Sequence, residues 1–185
     1  MMESNPWKIN GEKLIYHNPW IALTEFDVIN PNGGKGIYGK VHFKNIAVGV
    51  LVLDENLDTY LVGQYRFTLN AYSWEMPEGG CLVGLEPLES AKRELLEETG
   101  LIAEEWTELM QMHLSNSVSD ELGIIFLARK LQQGEAAPEE TEQLVVKKVP
   151  FAEMVNMVEE GFITDSMTVA AVYKVQLLLL QGKLN

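Results

Sequence analysis

The 185-residue chain holds one cysteine, three histidines, and only 14 Lys and Arg against 27 Asp and Glu. A lone Cys81 excludes an intrachain disulfide, and eight methionines without a disulfide scaffold fit a reducing compartment. His17, His42 and His113 lack metal-ligand spacing and read as structural. The net charge of −13 is opposite in sign to what a nucleic-acid-binding surface requires, and Lys147-Lys148 is the one adjacent basic pair, so nucleic acid and a polybasic membrane contact are both excluded as partners. Long hydrophobic runs are also missing: VQLLLL, at 175–180, is far too short to span a bilayer. MMESNPWKIN lacks the basic-then-apolar order of a signal peptide, so the expected compartment is the cytoplasm.

What is present begins with β-rich segments. KLIYHN, WIALTEFDVI and GIYGKVHF, separated by turn signals such as NPNGG, predict an antiparallel meander over residues 7–43. IAVGVLVLD and TYLVGQYRF are nearly continuous apolar runs, as expected for strands buried on both faces, and read together as a central sheet. SWEMPEGG follows, with Glu78, Gly79 and Gly80 expected in a turn whose backbone a ligand can approach. Pro87 suits a first helical turn, Gly100 suits a left-handed stop, and Leu88, Ala91 and Leu95 recur at helical spacing, predicting a helix over 87–99. Two more strand-like runs flank SNSVSDE. An acidic loop, GEAAPEETE, and a further strand, QLVVKKV, come next. Two helices close the chain, the second capped near Asp165 or Ser166.

The predicted helix carries Glu94, Glu97 and Glu98 on one face, away from its apolar face. Like charges at i and i+4 oppose helix formation by about 0.2–0.5 kcal/mol per pair, and carboxylates in the last turn meet the negative end of the helix dipole. Either a solvated acidic face paired through Arg93, or a divalent-metal site built from hard oxygen ligands, accounts for such crowding.

Residues 79–101, GGCLVGLEPLESAKRELLEETGL, resemble the Nudix box, G-x5-E-x7-R-E-U-x-E-E-x-G-U with U aliphatic. Gly79, Arg93, Glu94, Leu95, Glu97, Glu98, Gly100 and Leu101 match, whereas Leu85 stands where the pattern has its first glutamate. IYHNPW, VGQYRF, SWEMPEGG and VPFAEM extend the resemblance to the branch of that family that cleaves ADP-ribose and nucleoside diphosphate sugars. The resemblance implies an α/β/α sandwich with a mixed sheet, residues 44–185, preceded by a small antiparallel β-unit, residues 1–43, through which the chain forms a homodimer. It implies a Mg²⁺ site, with Mn²⁺ as a substitute, held by Glu94, Glu98, Glu97 and the Glu78 carbonyl, with Arg93 orienting the glutamates. It places the general base on the acidic loop, at Glu140 with Glu139 and Glu142 as alternatives. Arg66 would clamp phosphate, and Glu75, Glu121 and Trp20 would meet the substrate.

The proline that ADP-ribose pyrophosphatases carry beyond the box is replaced by Asn116, so the expected substrate is a nucleoside diphosphate sugar of GDP-mannose or ADP-ribose type, hydrolysed to a nucleoside monophosphate and a sugar phosphate. Leu85 and Asn116 also leave an alternative: a non-catalytic nucleotide-sugar binding module with a degenerate box.

Overall fold

A computed structural model describes residues 4–134 and 143–184. Ten strands and three helices are found among them: β1 (Lys8–His17), β2 (Ile21–Ile29), β3 (Lys35–Phe43), β4 (Asn45–Val52), β5 (Asp58–Arg66), β6 (Ala71–Glu75), β7 (Glu78–Leu82), α1 (Pro87–Thr99), β8 (Leu101–His113), β9 (Leu122–Gln133), β10 (Val145–Pro150), α2 (Phe151–Glu159) and α3 (Ser166–Leu180). They cluster into two compact units, Met1–Asn45 with His113–Leu122, and Ile46–Met112 with Gly123–Asn185.

The smaller unit carries the predicted meander as the antiparallel sheet β1-β2-β3. Side-chain amides set its turns. The Asn18 carboxamide oxygen accepts from the Trp20 and Ile21 N–H groups at 2.9 and 2.8 Å, and Asn30 does the same for Asn32 and Gly34 at 3.0 Å each. β1 is exposed at every position, and Ile9, Leu14, Ile15 and Ile37 all face water.

The larger unit holds the core. β4 and β9 run parallel, from Ala47 opposite Gly123 to Val52 opposite Ala128, within a sheet ordered β7-β4-β9-β8. The run Val50–Leu53 is fully buried, as an apolar segment covered on both faces must be. β5, expected beside β4, belongs instead to a second sheet, β10-β5-β6, in which β10 and β6 take its two edges. The arrangement is the mixed α/β architecture expected, with the antiparallel unit at the N-terminus. α1 has the predicted bounds. Pro87 opens it, and Gly100, with φ of 72°, closes it by donating to the Leu96 carbonyl at 2.8 Å. Ala91 and Leu95 are fully buried beneath the helix. No helix among the described residues is long and apolar enough to cross a membrane.

Candidate functional site

The turn expected at Glu78-Gly79-Gly80 lies earlier, at Met76-Pro77, and Glu78 already begins β7. At Gly79 that strand admits a close approach. A Cβ built on Gly79 would lie 2.0 Å from Cδ of Glu94 and 2.2 and 2.5 Å from its carboxylate oxygens, so the Glu94 carboxylate rests directly on the Gly79 backbone. Any side chain at 79 would displace it.

One turn further along α1, Glu98 is only 3% exposed, and its Oε2 accepts the Glu78 N–H at 3.1 Å. At Glu98 the acidic face is therefore not a solvated one. Arg93 fans across the remaining carboxylates: Nη1 donates to Glu97 Oε2 and Nη2 to Glu94 Oε1, at 2.5 Å each, and Nη2 also reaches the Gly80 carbonyl at 3.2 Å. Partial desolvation opposes the guanidinium charge, but the Glu94 and Glu97 carboxylates outweigh it and hold the Arg93 pKa above its ordinary value.

A second carboxylate group adjoins β7. Glu75, 3% exposed, takes Arg66 Nε at 3.0 Å on each oxygen and also Arg66 Nη2. The Glu75 bonds raise the Arg66 pKa against the opposing effect of burial, with Glu78 and Asp165 contributing charge. Burial pushes the Glu78 carboxyl well above the glutamate range, and the adjacent Asp165 carboxylate pushes it further. Thr168 Oγ1 donates to Glu78 Oε1 at 3.2 Å and accepts the Met76 N–H at 3.1 Å.

A NUDIX domain profile matches residues 43–166. The chain belongs to the Nudix family. It is 35% identical over 179 residues to an ADP-ribose pyrophosphatase of Mycobacterium tuberculosis, covering 94% of this chain and 85% of that one. It is 32% identical over 178 residues to an ADP-ribose pyrophosphatase of Bacillus subtilis, covering 95% and 96%. The crystal structure of an ADP compounds hydrolase superposes over all of both chains with a TM-score of 0.86 at 22% identity, which shows the shared fold.

In the Nudix box, every donor offered to a cation is an oxygen, and Glu94 and Glu98 are both packed against β7, so the donor set fits a hard divalent cation. As placed, those oxygens bond Arg93 and the Glu78 N–H, and no three His, Cys, Asp or Glu side chains among the described residues converge as a ready-made cage. Leu85, at the position of the first box glutamate, is 57% exposed in the loop before α1.

The structure brings Glu75, Glu78, Glu94, Glu97, Glu98, Arg66 and Arg93 together in the larger unit. Trp20, 65% exposed, and Glu121, whose carbonyl accepts the Leu114 N–H at 3.2 Å, belong to the smaller one. Glu139, Glu140 and Glu142 lie outside the described residues. A cavity of about 570 Å³ lined by Asp54, Tyr60, Glu104 and Lys130 includes none of the box carboxylates.

Asp165 and Thr168 are the members that sequence reasoning missed. The cap that joins them, with Asp165 Oδ2 accepting the Thr168 N–H at 2.7 Å, was legible as a helix start. Nothing local signals that the same threonine bonds Met76, 92 residues away.

Proposed function

We propose that this chain is a Mg²⁺-dependent Nudix hydrolase that cleaves the diphosphate bond of ADP-ribose and related nucleoside diphosphate sugars, releasing a nucleoside monophosphate and a sugar phosphate. The observation that carries the reading is the seating of Glu94 and Glu98 against β7, which sets two hard-oxygen donors of a repulsive helix face beside the Gly79 and Glu78 backbone. The likeness to two ADP-ribose pyrophosphatases over nearly the whole chain favours ADP-ribose over GDP-mannose as the preferred substrate.

In this reading Glu94 and Glu98 hold the cation, Glu97 and the Glu78 carbonyl complete its protein ligands, and Mn²⁺ substitutes for Mg²⁺. When bound, the cation neutralises phosphate charge and lowers the pKa of an attacking water. Arg93 spans Glu94, Glu97 and the Gly80 carbonyl and so sets the spacing between helix and strand. Glu140, with Glu139 and Glu142 as alternatives, takes the proton from the water. Arg66, fixed in direction by Glu75, presents positive charge to the diphosphate. Of the residues expected to meet the substrate, Glu75 stands beside Arg66 in the larger unit.

The hydrolase occupies residues 44–185, and residues 1–43 form a dimerisation unit of a cytoplasmic homodimer. The exposed β1 and its uncovered Ile9, Leu14 and Ile15 support this assembly, because a sheet so little buried gains stability from a second copy. Sedimentation at micromolar concentration returns the dimer mass if the unit pairs, and the monomer mass if it does not.

Incubation with ADP-ribose, GDP-mannose and UDP-glucose plus Mg²⁺, followed by phosphatase and phosphate assay, tests the activity. ADP-ribose gives the fastest release. Release from none of the three, together with ligand-induced thermal stabilisation, instead establishes a binding module, the reading that the exposed Leu85 favours.

A further inference from the structure

We infer that Thr168 is a positioning residue for Glu98, acting through the corner between β6 and β7. The inference rests on the reading of Glu98 as a metal ligand.

The corner is three residues, Met76, Pro77 and Glu78, with two N–H groups to satisfy, since proline has none. Each group is satisfied by a different element. The Pro77 carbonyl accepts Val50 N–H from β4 at 2.9 Å, the Met76 N–H goes to Thr168 Oγ1 on α3 at 3.1 Å, and the Glu78 N–H goes to Glu98 Oε2 on α1 at 3.1 Å. Met76 is 1% exposed and Thr168 fully buried, so water cannot replace the Met76–Thr168 bond. A backbone N–H only donates. The threonine oxygen must therefore accept from Met76, which leaves its own proton for Glu78 Oε1 at 3.2 Å. One hydroxyl thus fixes both ends of the corner whose last N–H fixes Glu98.

α3 holds Thr168 in place by two further contacts. Asp165 caps its N–H, and its neighbour Met167 shares with Met76 the space over Gly49, where a Cβ would meet the two methyl carbons at 3.1 and 2.3 Å. The corner cannot shift without α3.

Thr168→Val keeps the shape and removes the hydroxyl, leaving a buried N–H without its acceptor, while Thr168→Ser keeps the hydroxyl. The test is an electron-paramagnetic-resonance titration of Mn²⁺ into the substrate-free protein, alongside thermal unfolding and the Mg²⁺ dependence of ADP-ribose hydrolysis. T168V is expected to bind Mn²⁺ about tenfold more weakly and to need about tenfold more Mg²⁺ for half-maximal rate, with KM for ADP-ribose at saturating metal within about twofold of wild type. T168S stays within about twofold of wild type in each measure. A folded T168V with wild-type Mn²⁺ affinity overturns the positioning role and leaves the hydrolase reading intact. Should T168V not fold, T168A is judged by the same criterion. A wild type that neither binds Mn²⁺ nor hydrolyses any of the three substrates overturns the ligand reading of Glu98, and the role of Thr168 with it.

Discussion

Arg93 and Arg66 each direct a guanidinium fork at glutamate, under different conditions. Arg93 lies across the open face of α1 and divides its donors between two carboxylates, Glu97 with 29% of its side chain exposed and Glu94 with 12%. Arg66 commits Nε and Nη2 to a single carboxylate, Glu75, whose side chain is 4% exposed. Exposed ion pairs contribute little to stability, because water and salt compete for both partners. A buried carboxylate without its cation has no such recourse. In the proposed reading the same chemistry serves two ends: the Arg93 fan holds carboxylates that a cation can still recruit, and the Arg66 pair fixes the hairpin of β5 and β6 that leads into the corner.

That contrast can be broken by substitution. The largest effect belongs to the box: Glu98→Gln keeps an oxygen acceptor for the Glu78 N–H but lowers charge, and turnover of ADP-ribose is expected to fall by about 10²–10³ with the circular dichroism spectrum unchanged. A variant that loses its fold instead would mark Glu98 as a packing residue. Arg66→Ala leaves the Glu75 carboxylate buried and unpaired by its arginine, so urea unfolding should show a loss of about 3–5 kcal/mol. A loss near zero would mean that the Glu75 carboxylate does not depend on Arg66. Arg93→Ala should change stability by less than about 1 kcal/mol, while kcat/KM falls about tenfold. Equal stability losses from the two arginine variants would erase the distinction.

The smallest effect comes from the smaller unit. Asp120 bonds Lys40 at 2.9 Å, His42 at 2.8 Å and the Phe43 N–H at 3.0 Å. Partial burial raises its pKa, but the hydrogen bonds from Lys40 and His42 prevail and bring it down to about 2 from the ordinary 3.8. A carboxylate with a depressed folded-state pKa contributes stability that is present above its unfolded value and lost as pH falls through its folded value. Asp120→Asn should therefore be slightly less stable than wild type at pH 6, with the gap closing between about pH 4 and 2. A gap unchanged at pH 2 in urea titrations would contradict the assignment.

What the sequence made legible follows from the range over which each feature is decided. α1 was readable to the residue because Pro87, Gly100 and the Ala91–Leu95 spacing are local, and the box glutamates came with it. β4 and β5 were readable as buried strands, but not as members of separate sheets. That membership is decided by β9, β6 and β10, elements up to about 90 residues away in the chain for which apolar periodicity carries no address. Glu78 read as a turn because GG follows it, whereas the glycine at 79 serves close approach by Glu94 in a strand. Arg66 and Glu75 were each assigned to substrate, and their mutual pairing emerged only with the β5–β6 register, in which Arg66 faces Ala71 and Glu75 faces Val62. Thr168 was invisible for the same reason as the sheet order: a hydroxyl in a helix start says nothing about which corner it will hold.

The central claim is that this Nudix chain cleaves a diphosphate bond at the box carboxylates. Chromatography of ADP-ribose incubated with the protein tests it most directly, run with Mg²⁺, with chelator, and with chelator followed by excess Mg²⁺. The account predicts AMP and ribose 5-phosphate in equal amounts in the first and third samples and intact ADP-ribose in the second. Intact ADP-ribose in all three, from folded protein, would contradict it.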